Sequence, residues 1–414
     1  MSSLYKVQSV SPGNEGLFAT MDIQPMDLIL TEIPFLWSAL PARPRDVGDL
    51  CEVFQFCSHC GASILRLELL LYFLYLNWDY NPLFLLLPPF SANDLLLFYA
   101  KKMKPHSAEV SQAEFSPVSS CPCGALYCNE DCRNAELARG HSIICESPHF
   151  PLQSSLDQNG HGSLAVKAFC LLLKTCIDKN IKVKEAFELL FGGFFQERMT
   201  RTHHALRSGS ILLPDAALFD EIVAPIYVAT KLQPLLDNLV VIFGSPEYDR
   251  YHIREALSTT FLDRLIGTFV VNNVSFEMAS PLEGLIASQE TSVEFASSLH
   301  DGLLELREGC ASALLGVPCT AICPLLAKTN HSCEPNTYVS YGHNNRAEIS
   351  IHAASFIPSG GEIFHSYLHT PSSGAARMLT KSERRRALCQ YLFECKCGLC
   401  NSEPTDSDEN NYWQ

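Results

Sequence analysis

The sequence predicts a mixed α+β fold: short strands near both ends, a helical middle, and cysteine clusters spaced to hold metal. Three observations carry this. Residues 5–40 and 310–367 alternate and break like strands and turns, and residues 161–270 place apolar side chains three and four apart. In addition, ten of the 18 cysteines fall into two tight groups.

At the amino end, YKVQSV, GLFATM and LILTEI are separated by turn residues at Pro12-Gly13-Asn14 and Gln24-Pro25. The apolar region 64–98 is interrupted by Glu68, Asp79, Asp94 and three prolines. No run there reaches the ~18 apolar residues of a membrane span, so buried helices are expected and no membrane association. SLAVKAFCLLLKTCI and VKEAFELLFGGF are helical in period. Thr380-Lys-Ser-Glu383 is a capping box opening ERRRALCQYLF, a helix that delivers the last cysteines. The tail, EPTDSDENNYWQ, is acidic and expected to be disordered.

Composition narrows the function. A 47% apolar and 18% charged content is globular, and 414 residues suggest two or three units. The net charge of −15 argues against broad nucleic-acid binding and suits a basic protein partner. No secretory signal opens the chain, so a cytoplasmic or nuclear, reducing compartment is expected, where paired cysteines favour metal over disulfides. No G-x-G-x-x-G lies between a strand and a helix, which leaves a Rossmann cofactor site without support.

The first cysteine group is Cys57, Cys60, Cys121, Cys123, Cys128, Cys132, His141 and Cys145, enough ligands for two tetrahedral zinc sites. The second, Cys395, Cys397 and Cys400, is one ligand short, and Cys333 in TNHSCEPN is a candidate fourth. Cys51, Cys170, Cys176, Cys310, Cys319, Cys323 and Cys389 have no such spacing and read as buried thiols.

NHSCEPN at 330–336, GEIFHSY at 361–367 and the terminal CKCGLC resemble the core and post-SET motifs of SET-domain protein-lysine methyltransferases. The eight-ligand cluster resembles a MYND zinc finger, and the whole layout resembles the SET and MYND domain-containing methyltransferases, most closely their fifth member. Three features depart from the pattern: C-x-C at Cys121 and Cys123, GNEG at 13–16, and Gly361 in place of an acidic residue.

The resemblance implies a SET β-fold, a knot-like core of short sheets, split by the finger. Its parts would be an amino-terminal SET portion (1–56), a finger (57–145) with an apolar helical insert (61–120), and a helical insertion (146–305). The carboxy-terminal SET core (306–370), the post-SET zinc motif (371–402) and the tail (403–414) would follow. It further implies S-adenosyl-L-methionine as cofactor, held by Glu15, Gly16, Asn272 (or its neighbour Asn273), Asn330, His331, Tyr367 and Phe393, with Tyr367 catalytic.

Three zinc ions are implied. Interleaved pairing would put Cys57, Cys60, Cys128 and Cys132 on one, and Cys121, Cys123, His141 and Cys145 on another. Cys333 would complete the third. The implied substrate is a basic protein, a histone or a ribosomal protein, and the finger would bind proline-rich partners. A monomer is expected. The competing reading is a zinc-binding adaptor whose SET domain no longer turns over.

Overall fold

A computed structural model describes residues 3–11, 14–39, 57–61, 119–123, 125–145, 161–212, 219–279, 316–341, 346–368 and 379–403. The expected insert at 61–120 (apart from its ends), residues 280–315, the tail beyond Glu403, Cys51 and Cys310 lie outside the described residues.

Four strands open the chain: β1 (Tyr5–Ser11), β2 (Asn14–Ala19), β3 (Leu28–Glu32) and β4 (Leu36–Ala39). A small ribbon follows, β5 (Ser119–Ser120) with β6 (Leu126–Tyr127), then helix α1 (Glu130–Glu136). The helical region holds α2 (His161–Lys179), α3 (Val183–Phe191), α4 (Met199–Ser208), α5 (Gln233–Phe243) and α6 (Thr259–Asn272). Strands return as β7 (Asn273–Ala279), β8 (Gly316–Ile322), β9 (Asn330–His331), β10 (Thr337–Tyr341), β11 (Ile349–Ala353) and β12 (Glu362–His365). The described chain closes with α7 (Lys381–Leu388) and α8 (Gly398–Ser402).

The helices form because their apolar residues recur on one face. In α6, Leu262, Leu265, Ile266 and Phe269 are buried, and Ser258 caps the helix by accepting from the Phe261 N–H. They meet Phe169 and Phe187, whose rings lie 6.0 and 5.1 Å from Phe261. Full burial of each such side chain contributes about 1.5–3 kcal/mol. By length and apolarity alone the helical run Phe219–Phe243 would suffice to cross a membrane, a candidate the sequence pattern did not single out. Its Leu232, Leu235, Leu239 and Phe243 lie instead in this helical core.

Helix α6 runs directly into β7, which pairs with β8, and β8 pairs with β4. The helical region is thereby fastened to the β-core. A second sheet orders β10, β11 and β3, and a third orders β1, β2, β12 and β9. In the third sheet β12 pairs antiparallel with β2 and parallel with β9, matching Phe364 to Asn330 and His365 to His331. Just past β9 the chain grips β12 again. Asn336 donates to the Glu362 carbonyl and accepts from the Phe364 N–H, both at 2.8 Å, and Thr337 donates to the Phe364 carbonyl. The segments 330–337 and 362–367, distant from the amino-terminal strands in sequence, interlock with them here. The capping box at Thr380 and Glu383 forms as the sequence predicts.

Candidate active site and metal centres

Strand β9 and the end of β12 bring His331, His365 and Tyr367 together, and the chain after α7 adds Tyr391 and Phe393. The Tyr367 ring lies 4.8 Å from His365, 4.8 Å from Tyr391, 5.2 Å from His331 and 6.1 Å, edge-on, from Phe393. Within this aromatic enclosure the Tyr367 hydroxyl donates to the Thr329 carbonyl at 2.9 Å. Burial, with the nearby Tyr391 and Glu362, pushes the Tyr367 phenol up, so it stays protonated and acts as a donor.

The other residues singled out in the sequence surround this point. Asn330 sits just before His331 in the parallel pair, and its amide donates to the Glu15 carbonyl at 3.2 Å and to Glu362 Oε1 at 2.8 Å. Both amide hydrogens face the protein and the backbone pairs with β12, which leaves Oδ1 for a ligand. Gly16 explains the closeness of β2: a Cβ there would lie 2.7 Å from Glu362 Oε1 and 3.1 Å from Asn330 Nδ2. Glu15 is half exposed and pairs with Lys328. Asn272 ends α6 and donates to the Phe195 and Thr268 carbonyls, so its amide hydrogens hold a helix end. Its neighbour Asn273 donates to Thr320. Thr329 is fully buried and its hydroxyl has no partner among the described residues, a deficit that a bound polar group would relieve.

The twelve metal-ligand candidates converge into three groups of four: Cys57, Cys60, Cys128, Cys132; Cys121, Cys123, His141, Cys145; and Cys333, Cys395, Cys397, Cys400. Within each group the ligand atoms lie within 4.8 Å of one another. A tetrahedral zinc with Zn–S near 2.3 Å separates its sulfurs by about 3.8 Å. The observed Sγ···Sγ distances include 3.7 Å for Cys60–Cys128, 3.5 Å for Cys128–Cys132, and 3.8 and 3.6 Å from Cys333 to Cys395 and Cys400. The first and third donor sets therefore fit zinc in spacing, and the second fits it by its ligand types. The C-x-C pair also reaches its group, with Cys121 on Cys145 at 2.8 Å and Cys123 on His141 Nε2 at 3.3 Å.

Charge makes the same point in the third group. A hydrogen bond from Cys333 holds Cys395 toward thiolate, while that bond and burial push Cys333 up. Four sulfurs this close resist joint ionisation until a dication joins them. Arg384, with no exposed surface, lies against Cys400 Sγ at 3.8 Å and pairs with Glu403 at 2.5 Å, adding positive charge behind the cluster.

The first group is anchored to the β-core through side chains between its ligands. His59, between Cys57 and Cys60, bonds Glu136 at 2.9 Å, and its carbonyl accepts the Trp37 indole N–H at 3.0 Å. Lys167 donates to the Trp37 carbonyl and lies over the Trp37 ring at 4.8 Å, and Arg139 donates to the Phe35 carbonyl.

Sequence motifs did not indicate Thr329, His365, Tyr391, Glu362 or Lys328 as parts of the site. Thr329 takes part through its backbone carbonyl, which leaves no mark in sequence. His365 lies inside the GEIFHSY motif and Tyr391 two places before Phe393, and both could have been found by asking which neighbours of Tyr367 share its face.

A chain whose short interlocked sheets join Asn330–His331 to a terminal tyrosine, beside a cysteine-rich end, is a SET-domain protein. The SET-domain family matches residues 14–368, and the chain belongs to it. Within that family it groups with the SET and MYND methyltransferases of the SMYD5 kind. It is 23% identical over 422 residues to protein-lysine N-trimethyltransferase SMYD5 of Gallus gallus, covering 96% of this chain and 86% of that protein. It is 25% identical over 315 residues to histone-lysine N-methyltransferase ATXR2 of Arabidopsis thaliana, covering 69% of this chain and 62% of that protein. A 95-residue stretch is 34% identical to protein-lysine N-methyltransferase SMYD4 of Mus musculus, covering 23% of this chain and 11% of that one.

Proposed function

We propose that this protein-lysine methyltransferase uses S-adenosylmethionine to methylate a lysine ε-amine of a basic protein, a histone or a ribosomal protein. The observation that carries the reading is the Tyr367 hydroxyl fixed on the Thr329 carbonyl, inside an aromatic enclosure that begins one residue past Asn330. When bound, S-adenosylmethionine supplies an electrophilic methyl on a cationic sulfur. Asn330, His331, Gly16 and Glu15 would hold its amino-acid end, Phe393 would cover the adenine, Tyr367 would border its methyl, and Asn272 would offer Oδ1.

The chain's own residues supply alignment and a dry channel. A lysine with its ordinary pKa of about 10.4 is protonated at neutral pH and cannot attack. Apolar walls formed by Tyr367, Tyr391 and Phe393 disfavour the ammonium and favour the neutral amine. The Tyr367 oxygen then orients that amine, an alignment effect rather than proton abstraction, because its own proton is engaged with Thr329. A basic substrate suits the net charge of −15, and the name of ATXR2 assigns histone lysine to that relative. The first two cysteine groups read as a MYND finger offered to proline-rich partners, and the third as a post-SET zinc lid; the cytoplasm or nucleus is the proposed location.

The test is transfer of tritiated methyl from S-adenosylmethionine to core histones and, separately, to ribosomal proteins. Wild type should label lysine, and Tyr367→Phe should lower the rate about 100-fold while keeping its zinc and its fold. Equal labelling by both would remove Tyr367 from catalysis. No labelling of either pool or of whole-cell lysate would favour a non-catalytic adaptor.

A further inference from the structure

We propose that His365 Nδ1 accepts a hydrogen bond from the substrate amine and thereby restricts the enzyme to amines that still carry an N–H. The inference rests on the methyltransferase reading above and adds a specificity residue to it. His365 ends β12 two residues before Tyr367, so the two side chains lie on one face of extended chain, with ring centroids 4.8 Å apart. The Thr329 backbone carbonyl that receives the Tyr367 hydroxyl also lies near the His365 ring. A neutral imidazole carries one N–H and one lone pair, and a donor facing Nδ1 selects the tautomer with the lone pair there. Nδ1 is screened from solvent and has no partner among the described residues.

Burial, and then the neighbouring His331, push the His365 imidazole down to about 3, so the ring is neutral and its free nitrogen accepts. A buried acceptor without a donor is costly, and the donor this reaction brings to Tyr367 is the lysine amine.

The consequence follows from counting hydrogens. In each transfer the amine lone pair forms the N–CH3 bond and the S–CH3 bond breaks, its electron pair staying on sulfur. The resulting ammonium loses a proton to solvent before the next round. A neutral unmethylated amine carries two N–H groups, a monomethyl amine one and a dimethyl amine none. The first two transfers keep His365 satisfied, and the third leaves Nδ1 unpaired. Sites built to bond a substrate N–H reject analogues that lack it, here by about 10-fold or more. The chain should stop at dimethyl-lysine, unlike the SMYD5 relatives, whose name states trimethylation.

The test uses the full chain with S-adenosylmethionine on core histones and ribosomal proteins, reading methylation states by mass spectrometry. Wild type should yield mono- and dimethyl products. His365→Leu should raise the trimethyl fraction at least about 10-fold, and His365→Asn, whose Oδ1 stands near the place of Nδ1, should behave as wild type. Mainly trimethyl product from wild type, or an unchanged distribution in the leucine variant, overturns the proposal.

A binding measurement on the wild type covers the cases of no transfer or of an unfolded variant. The imidazole 15N resonances of the S-adenosylhomocysteine-loaded chain are followed against butylamine and N,N,N-trimethylbutylammonium. The His365 Nδ1 signal should move with butylamine alone. No movement with butylamine, or equal movement with both, overturns the role of His365. A selective shift without any methyl transfer would keep it as an amine-binding group and place the failure on the methyltransferase reading.

Discussion

His331 Nδ1 accepts the backbone N–H of Tyr367 at 3.0 Å, while Nε2 of the same ring faces Cys333 Sγ at 3.3 Å. One imidazole thus joins Tyr367 to the third cysteine group. His331→Ala leaves the Tyr367 N–H without its acceptor and one sulfur without its neighbour. Turnover should fall about 10- to 100-fold, the equivalent of a lost hydrogen bond of 1–3 kcal/mol. Zinc should also leave the third group faster, a readout that simple loss of the tyrosine would not produce. Unchanged zinc release measured with a chromogenic chelator would break the proposed link.

The three groups predict three zinc equivalents per chain by elemental analysis. Cys400→Ser should leave two. Since Tyr391 and Phe393 pack with Cys333, Cys395 and Cys400, that variant should also lose activity before it unfolds. Three equivalents retained in the variant would contradict the assignment.

Glu136 couples the first cysteine group to the β-core. Burial alone would push its carboxyl up, but the His59 bond and the charges of Lys167 and Arg139 outweigh this, and the net shift is downward from 4.5. A carboxyl whose pKa is lower folded than unfolded stabilises the protein fully above its unfolded value. That contribution is lost as pH falls through the folded one. Glu136→Gln should therefore lower stability near pH 7, with the gap from wild type closing as pH falls through the carboxylate range. Chemical denaturation across pH checks this, and a gap that widens on acidification would refute the sign.

Gly16→Ala would push a Cβ into Glu362 and Asn330. The displaced Asn330 should raise the KM for S-adenosylmethionine about 10-fold with a smaller change in kcat. Steady-state kinetics separate the two, and an effect on kcat alone would point away from cofactor binding.

Much of this was legible in short windows of sequence. Cysteine spacing, the NHSCEPN and GEIFHSY motifs, the helical periods of 161–270 and the Thr380 capping box each depend on residues a few places apart, where local geometry and ligand spacing decide the outcome. Other features needed the folded chain. Asn330 bonds the Glu15 carbonyl across 315 positions, and Trp37 reaches the His59 carbonyl between two candidate ligands. The turning of Asn330 toward Glu362, the helix-ending role of Asn272 and the Thr329 carbonyl that receives the Tyr367 hydroxyl belong with these. Sequence by itself determined which chemistry was available, because residue type and local spacing carry it. Tertiary structure decided which atoms face one another, because backbone carbonyls and long-range pairings are set by how separate segments pack.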